Sequence, residues 1–245
     1  MPLCELKYFS PALGKHTTAN VILPAPEHSG PFPVMFLLHG LSDEYSAWCR
    51  RTSIERYVES LPLIVVMPDG GRGFYSDAVA GYQYATAIGT ELPELIRHYF
   101  SCGDKWCAAG LSMGGYGAIR LALDHPTVFQ SATSLSGALA FGHHEMVGDD
   151  PFVVEFARVV GSEPAGGPND LFALFGRLTP EERPALRIDC GTEDFLLDSN
   201  RSFHAFLADQ GFEHEYEEHP GAHTWAYWDA QIQPALEFHR RHLGI

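Results

Sequence analysis

Short, wholly apolar runs alternate along this chain with longer stretches whose apolar residues recur at helical spacing. Pro33–Leu38, Leu63–Met67 and Trp106–Leu111 are runs with almost no polar interruption, and Ser131–Leu135 and Leu186–Cys190 are similar. Runs of this length read as parallel strands covered on both faces. Tyr8–Ser10 and Thr17–Leu23 predict two earlier strands, closed by Pro11 and by Pro24-Ala25-Pro26, and Glu213–Glu218 predicts a last, more exposed one. Helical spacing runs through Ser53–Ser60, Ala87–Phe100, Gly115–Asp124, Ser199–Gln210 and Trp225–Leu243. Pro93 and Pro234 fall inside two of these segments, so a kink or a later start is expected there. Strands alternating with helices make an α/β fold, a mostly parallel sheet with helices on both faces, built by right-handed crossovers.

One segment breaks the alternation. Residues 138–183 are too long for a plain crossover and include Glu163-Pro-Ala-Gly-Gly-Pro168. Phe152–Val160 and Leu171–Leu178 predict short helices within it, the second capped by Asn169 or Asp170. An excursion here lies over the carboxyl ends of the strands, where open α/β sheets bind ligands. The expectation is a single domain over residues 1–245, with this insertion as a small cap shaping a substrate pocket.

A chain of 245 residues, 45% of them hydrophobic, can bury the core such a domain needs. Its net charge of −15 argues against nucleic acid and anionic membrane surfaces as partners. No run reaches the roughly 18 apolar residues of a membrane span. The start, Met1-Pro-Leu-Cys-Glu-Leu-Lys7, lacks a basic segment followed by an apolar one, so no leader is expected. Five scattered cysteines without paired spacing fit reduced thiols in a cytoplasmic protein. Cys102 and Cys107 are not read as metal ligands, since Trp106-Cys-Ala-Ala is buried-strand sequence. His143-His144-Glu145 lacks the helical spacing of a metal motif and is read as surface.

The candidate chemistry centres on Gly110-Leu-Ser112-Met-Gly114-Gly-Tyr-Gly117, between the Trp106 strand and the helix that follows. A serine at so sharp a strand-to-helix turn is held in a strained conformation with its hydroxyl exposed, and small residues two before and two after avoid collisions. The helix N-terminus presents unpaired N–H groups to any oxyanion formed there. Ser112 is a weak nucleophile unless a base in reach takes its proton and an acid orients that base. The chain order serine, acid, histidine puts the acid in Gly191-Thr-Glu-Asp194 and the base in Pro220-Gly-Ala-His223. Asp194 is preferred over Glu193 and Asp198, the last being explained as the cap of the helix from Ser199. His223 is preferred over His219, which precedes Pro220 and is held extended. The oxyanion donors are expected to be the N–H groups of Met113 and, after His39-Gly40, of Leu41. His39 is read as a brace for that turn rather than a second base. Trp48, Phe74, Tyr75 and Trp225 are candidates for lining a substrate pocket.

These residues, with His39-Gly-Leu-Ser-Asp43, Ile64-Val-Val-Met-Pro-Asp-Gly70, Phe74-Tyr-Ser-Asp77 and Gly221-x-His223-x-Trp225, resemble the esterase D-like branch of the α/β-hydrolases from about Leu3 to His242. The short length and the Thr-Glu-Asp-Phe-Leu-Leu wording are most similar to its small tributyrin and acetyl esterases. The resemblance implies an α/β-hydrolase fold and hydrolysis of short-chain acyl esters. It also implies Ser112, Asp194 and His223 as triad, Leu41 and Met113 as oxyanion donors, no cofactor and no metal. Many members are homo-oligomers, so a dimer or tetramer is open here. Related activities are S-formylglutathione hydrolysis and removal of acetyl or feruloyl groups from plant polysaccharide. A catalytically dead binding protein on the same fold is the alternative from outside enzymology.

Overall fold

A computed structural model describes Met1–Ile245. Eight strands form one sheet: β1 (Leu3–Ser10), β2 (Lys15–Ile22), β3 (Phe32–Leu38), β4 (Ile64–Pro68), β5 (Cys102–Leu111), β6 (Phe129–Leu135), β7 (Ala185–Gly191) and β8 (Glu215–His219). Their spatial order is β1-β2-β4-β3-β5-β6-β7-β8. β1 and β2 form an antiparallel hairpin, β2 meets β4 antiparallel, and all other pairings are parallel. The order reverses direction around β3, which places the ends of β3 and β5 side by side.

Alternation along the buried strands feeds two cores. Val34, Phe36 and Leu38 of β3 face one, with Ile64, Val66, Trp106 and Ala108; Met35 and Leu37 face the other, with Val65, Met67, Cys107 and Ala109. A strand buried on both faces carries no polar phase, hence the unbroken apolar runs. Helices α1 (Ala47–Arg51), α2 (Ile54–Tyr57) and α9 (Trp225–Leu243) cover the second face. The first is covered by α3 (Tyr84–Thr86), α4 (Leu92–Tyr99), α5 (Met113–Asp124), α7 (Leu171–Arg177) and α8 (Leu197–Asp209), while α6 (Pro151–Val160) stands over the carboxyl edge. No helix is long and apolar enough to cross a membrane. The five cysteines are all unpaired.

Three local departures from the expected pattern have physical causes. The helix expected over Ser53–Ser60 is confined to α2, and an unexpected short helix, α1, precedes it; the two are separated at Thr52, which turns extended (φ −131°, ψ 176°) and whose hydroxyl donates to the Trp48 carbonyl at 2.6 Å. The segment expected from Ala87 starts at Tyr84 and contains a π-helical turn at Ala87–Glu91, directly before Pro93. Proline has no N–H to give the carbonyl four residues back, and a widened turn accommodates that. Pro234, by contrast, interrupts nothing in α9: it lies on the exposed face, as does Ala230, whose freed carbonyl is left to water.

Between β6 and β7, α6 is capped by Asp150, whose carboxylate accepts from the Phe152 N–H at 2.8 Å. Asp170, not Asn169, caps α7 by accepting from the Phe172 N–H at 3.0 Å. The Arg72 guanidinium pairs with Glu155 of α6 at 2.7 Å, joining the loop after β4 to this segment.

Candidate active site

β5 ends at Leu111 and α5 begins at Met113, leaving one residue for the turn. Ser112 makes it with φ 53° and ψ −117°, a conformation costing a non-glycine residue on the order of 1–3 kcal/mol. Neighbours hold it there: the Ser112 N–H donates to the Leu135 carbonyl, and its own carbonyl accepts from Tyr116 and Ala138. Close packing makes the flanking glycines obligatory. A Cβ on Gly110 would lie 2.9 Å from the Leu38 Cβ, and one on Gly114 would lie 2.6 Å from the His39 carbonyl oxygen.

The loop after β7 carries Asp194 and the loop after β8 carries His223. The His223 Nδ1–H donates to Asp194 Oδ2 at 2.8 Å, and the Ser112 hydroxyl donates to His223 Nε2 at 3.0 Å. A carboxylate can only accept, so Nδ1 carries the proton and Nε2 offers its lone pair. Burial on its own would raise the Asp194 pKa. The hydrogen bonds from His223 and from the Leu196 N–H outweigh it and hold the carboxyl below the usual carboxylate range.

The competing residues are tied up elsewhere. Glu193 accepts from the Gly221 N–H and the Thr192 hydroxyl, while its own N–H donates to the Gly221 carbonyl, stapling the two loops together. His219 pairs with Glu217 at 2.9 Å. Asp198 does not cap its helix: α8 starts one residue before it, at Leu197, with Leu196 in the cap position. His39 is a brace. Its Nδ1–H donates to the Gly40 carbonyl and its Nε2 accepts the Gly70 N–H, both at 2.8 Å.

Leu41 follows that braced turn, and its N–H donates to no backbone carbonyl. The Met113 N–H, at the first position of α5, has no intrahelical acceptor. Met113 directly follows Ser112, and Leu41 lines the cavity on which Ser112 opens, so two N–H groups without backbone acceptors belong to this site.

A cavity of about 440 Å³ opens on Ser112. Much of its lining is apolar: Leu41, Phe74, Ala138, Ala140, Phe141, Met146 and Phe156. Phe74 and Phe141 stack with ring centroids 3.7 Å apart. Of the four aromatic residues expected to line the pocket, only Phe74 does so. Trp48 is 1% exposed, turned into the second core with its indole N–H on the Leu38 carbonyl at 3.0 Å. Tyr75 is wedged between Gly70 and Gly117, and its hydroxyl donates to the His39 carbonyl at 3.0 Å. Trp225 packs edge-on against Trp48 and Trp228. Phe195, Leu196, Asp198, Ser199 and Ser202 complete the cavity. Their position was foreseeable, since α8 opens immediately after the loop bearing Asp194. His143 of the His143-His144 pair bonds Asp170 at 3.0 Å, and His144 borders the cavity mouth.

Similarity to known proteins agrees with this geometry. An acetyl esterase of Caldicellulosiruptor saccharolyticus is 30% identical over 97% of this chain and 98% of its own. Among solved structures, the fluorophosphonate-binding serine hydrolase F of Staphylococcus aureus superposes with a TM-score of 0.87 at 31% identity, covering 97% of this chain and 98% of that one. An S-formylglutathione hydrolase of the same organism gives 0.85 at 31%, with the same coverage. The family model described as putative esterase matches residues 10–239. With the match running from the first hairpin to the last helix, this chain belongs to the putative esterase family and is a serine hydrolase of the α/β-hydrolase fold.

Proposed function

We propose that the chain is a carboxylesterase acting on small acyl groups, with Ser112 as nucleophile, His223 as base and Asp194 as its orienting acid. The observation that carries the reading is the continuous hydrogen-bonded line from Ser112 Oγ through His223 to Asp194. Ser112 Oγ attacks the ester carbonyl as its proton passes to His223 Nε2. The tetrahedral oxyanion is held by the N–H groups of Leu41 and Met113. The carbon–oxygen bond to the alcohol then breaks, and the alcohol leaves with the proton from His223. Water repeats the sequence on the acyl-enzyme, returning Ser112 to its hydroxyl form. Asp194 keeps Nδ1 protonated and stabilises the transient imidazolium. Residues 138–183 act as a cap supplying much of the apolar lining, supported by the contribution of Ala138, Ala140, Phe141, Met146 and Phe156 to the cavity.

A small acyl group is supported by the similarity to an acetyl esterase and by the stacked Phe74–Phe141 pair in the cavity lining. The reading also includes a homo-oligomer, supported by exposed Val147, Phe152 and Val154, and a cytoplasmic location, supported by the unpaired cysteines. Light scattering and cell fractionation test these parts. The test of the activity is kcat/KM across 4-nitrophenyl esters from acetate to decanoate. Preference for two to four carbons is expected; a maximum at eight or more would overturn the small-acyl part. Failure to react with a fluorophosphonate would instead support a binding-only protein.

A further inference from the structure

The cavity lining is not wholly apolar: the first turns of α8 contribute Asp198, Ser199 and Ser202. Asp198 and Ser202 are four residues apart and so share one helical face. The Ser202 hydroxyl donates to the Asp198 backbone carbonyl at 2.8 Å, and the Ser199 Oγ accepts from the Ala140 N–H at 2.8 Å. The Asp198 carboxylate itself has no ion-pair or hydrogen-bond partner in the chain. No lysine or arginine lines the cavity to offset it. Arg72, from the neighbouring loop, is already engaged by both carboxylate oxygens of Glu155.

The side of the substrate that meets this strip follows from the proton's path. In the mechanism above, His223 hands its proton to the leaving oxygen, so groups beside His223 face the alcohol portion. Phe195 lies against the His223 ring, centroids 4.5 Å apart, and Asp198 is three residues further on.

We infer that Asp198 is a charge-selecting residue for the alcohol portion of the substrate: esters of neutral, hydroxyl-bearing alcohols are accepted, and those whose leaving group carries a carboxylate are disfavoured. An unpaired carboxylate repels a second one brought into the same cavity, and it accepts hydrogen bonds from hydroxyls. Ser199 and Ser202 extend the strip for such hydroxyls. A glutathione thioester, with two carboxylates on its leaving thiol, belongs to the disfavoured class. The inference rests on the proposed roles of Ser112 and His223.

The experiment compares 4-acetoxybenzoate with neutral 4-acetoxybenzamide, in the wild type and in Asp198→Asn. The ratio of kcat/KM, anionic to neutral, is taken within each protein, and comparison between proteins cancels the esters' intrinsic reactivities. For a solvent-exposed carboxylate, the ratio is expected to rise on the order of threefold to tenfold in the variant. In the wild type, raising the salt from 10 mM to 0.5 M should raise the same ratio, because screening shortens the reach of the charge (a Debye length of about 30 Å falling to a few Å). A ratio that changes less than twofold on substitution overturns the inference. So does a salt-independent wild-type ratio, which overturns it even if Asp198→Asn does not fold; salt dependence, expected of any chain of net charge −15, supports it only together with the variant's change of ratio. Ser112→Ala runs in parallel. If it still hydrolyses either ester, the underlying mechanism is wrong. If it is inactive while the ratio stays put, only the role of Asp198 falls.

Discussion

Replacing Gly114 by alanine adds one methyl group at the tightest point of the site. The new Cβ would lie 2.6 Å from the His39 carbonyl oxygen and closer still to that of Leu38, where real Cβ atoms do not come within 3.0 Å. Both neighbours are backbone, so no side chain can swing aside. Clearing His39 alone requires a retreat of about 0.4 Å, and clearing Leu38 requires more. The retreat separates the start of α5, which carries the Met113 N–H, from the end of β3, whose following turn carries the Leu41 N–H. Overpacking of this kind costs about 1–3 kcal/mol of stability. The functional loss should exceed the stability loss. Displacing one oxyanion donor costs about 10²–10³ in kcat, and misplacement on the scale of an ångström costs about 10². The assay is steady-state hydrolysis of 4-nitrophenyl acetate beside thermal unfolding. A kcat reduced at least about 100-fold with KM little changed is expected. Full kcat in a folded Gly114→Ala protein would refute the argument that the two donors depend on this contact.

Asp194→Asn should reduce turnover by on the order of 10⁴, the size of the tautomer effect in serine-protease triads, while Glu193→Gln retains far more activity; the reverse order would reassign the acid. Trp48→Ala should destabilise the fold by about 3–5 kcal/mol, while leaving the acyl-chain preference unchanged, since Trp48 faces the second core. Phe141→Ala should shift that preference to longer chains, as a chain-length series of kcat/KM would show. His239 is buried between the hydroxyls of Ser131 and Thr133, and burial pushes its pKa down to about 3. The unfolded chain therefore binds a proton between about pH 6.5 and 3 that the folded one refuses, so stability is present above that window and falls as pH drops through it. The slope is at most about 1.4 kcal/mol per pH unit, and His239→Asn should flatten it in denaturant titrations at pH 4 to 7.

Much of the fold was legible because burial on both faces leaves a one-phase pattern. The β3, β4 and β5 runs could be nothing but covered strands, and Gly110 and Gly114 mark a backbone approach that no other residue allows. The relative placement of Ser112, Asp194 and His223 follows from the same logic, since each sits in a loop at the carboxyl edge. The aromatic residues were not legible. Whether Trp48 or Tyr75 faces a pocket or a core depends on which glycine or carbonyl lies opposite, and that is settled only by packing. The start of α8 was misjudged for a related reason. An aspartate just before a helical run usually caps it, but the loop bonds made by Asp194 to Leu196 let the helix begin earlier and turn Asp198 toward the cavity.

The central claim is that an acyl group passes through a covalent bond to Ser112. Mass spectrometry of the protein mixed with a slowly deacylating 4-nitrophenyl ester, followed by peptide mapping, tests it directly. One added acyl mass on the peptide containing Ser112, absent from Ser112→Ala along with turnover, is the predicted result. An acyl group on another residue, or undiminished hydrolysis by Ser112→Ala, would contradict it.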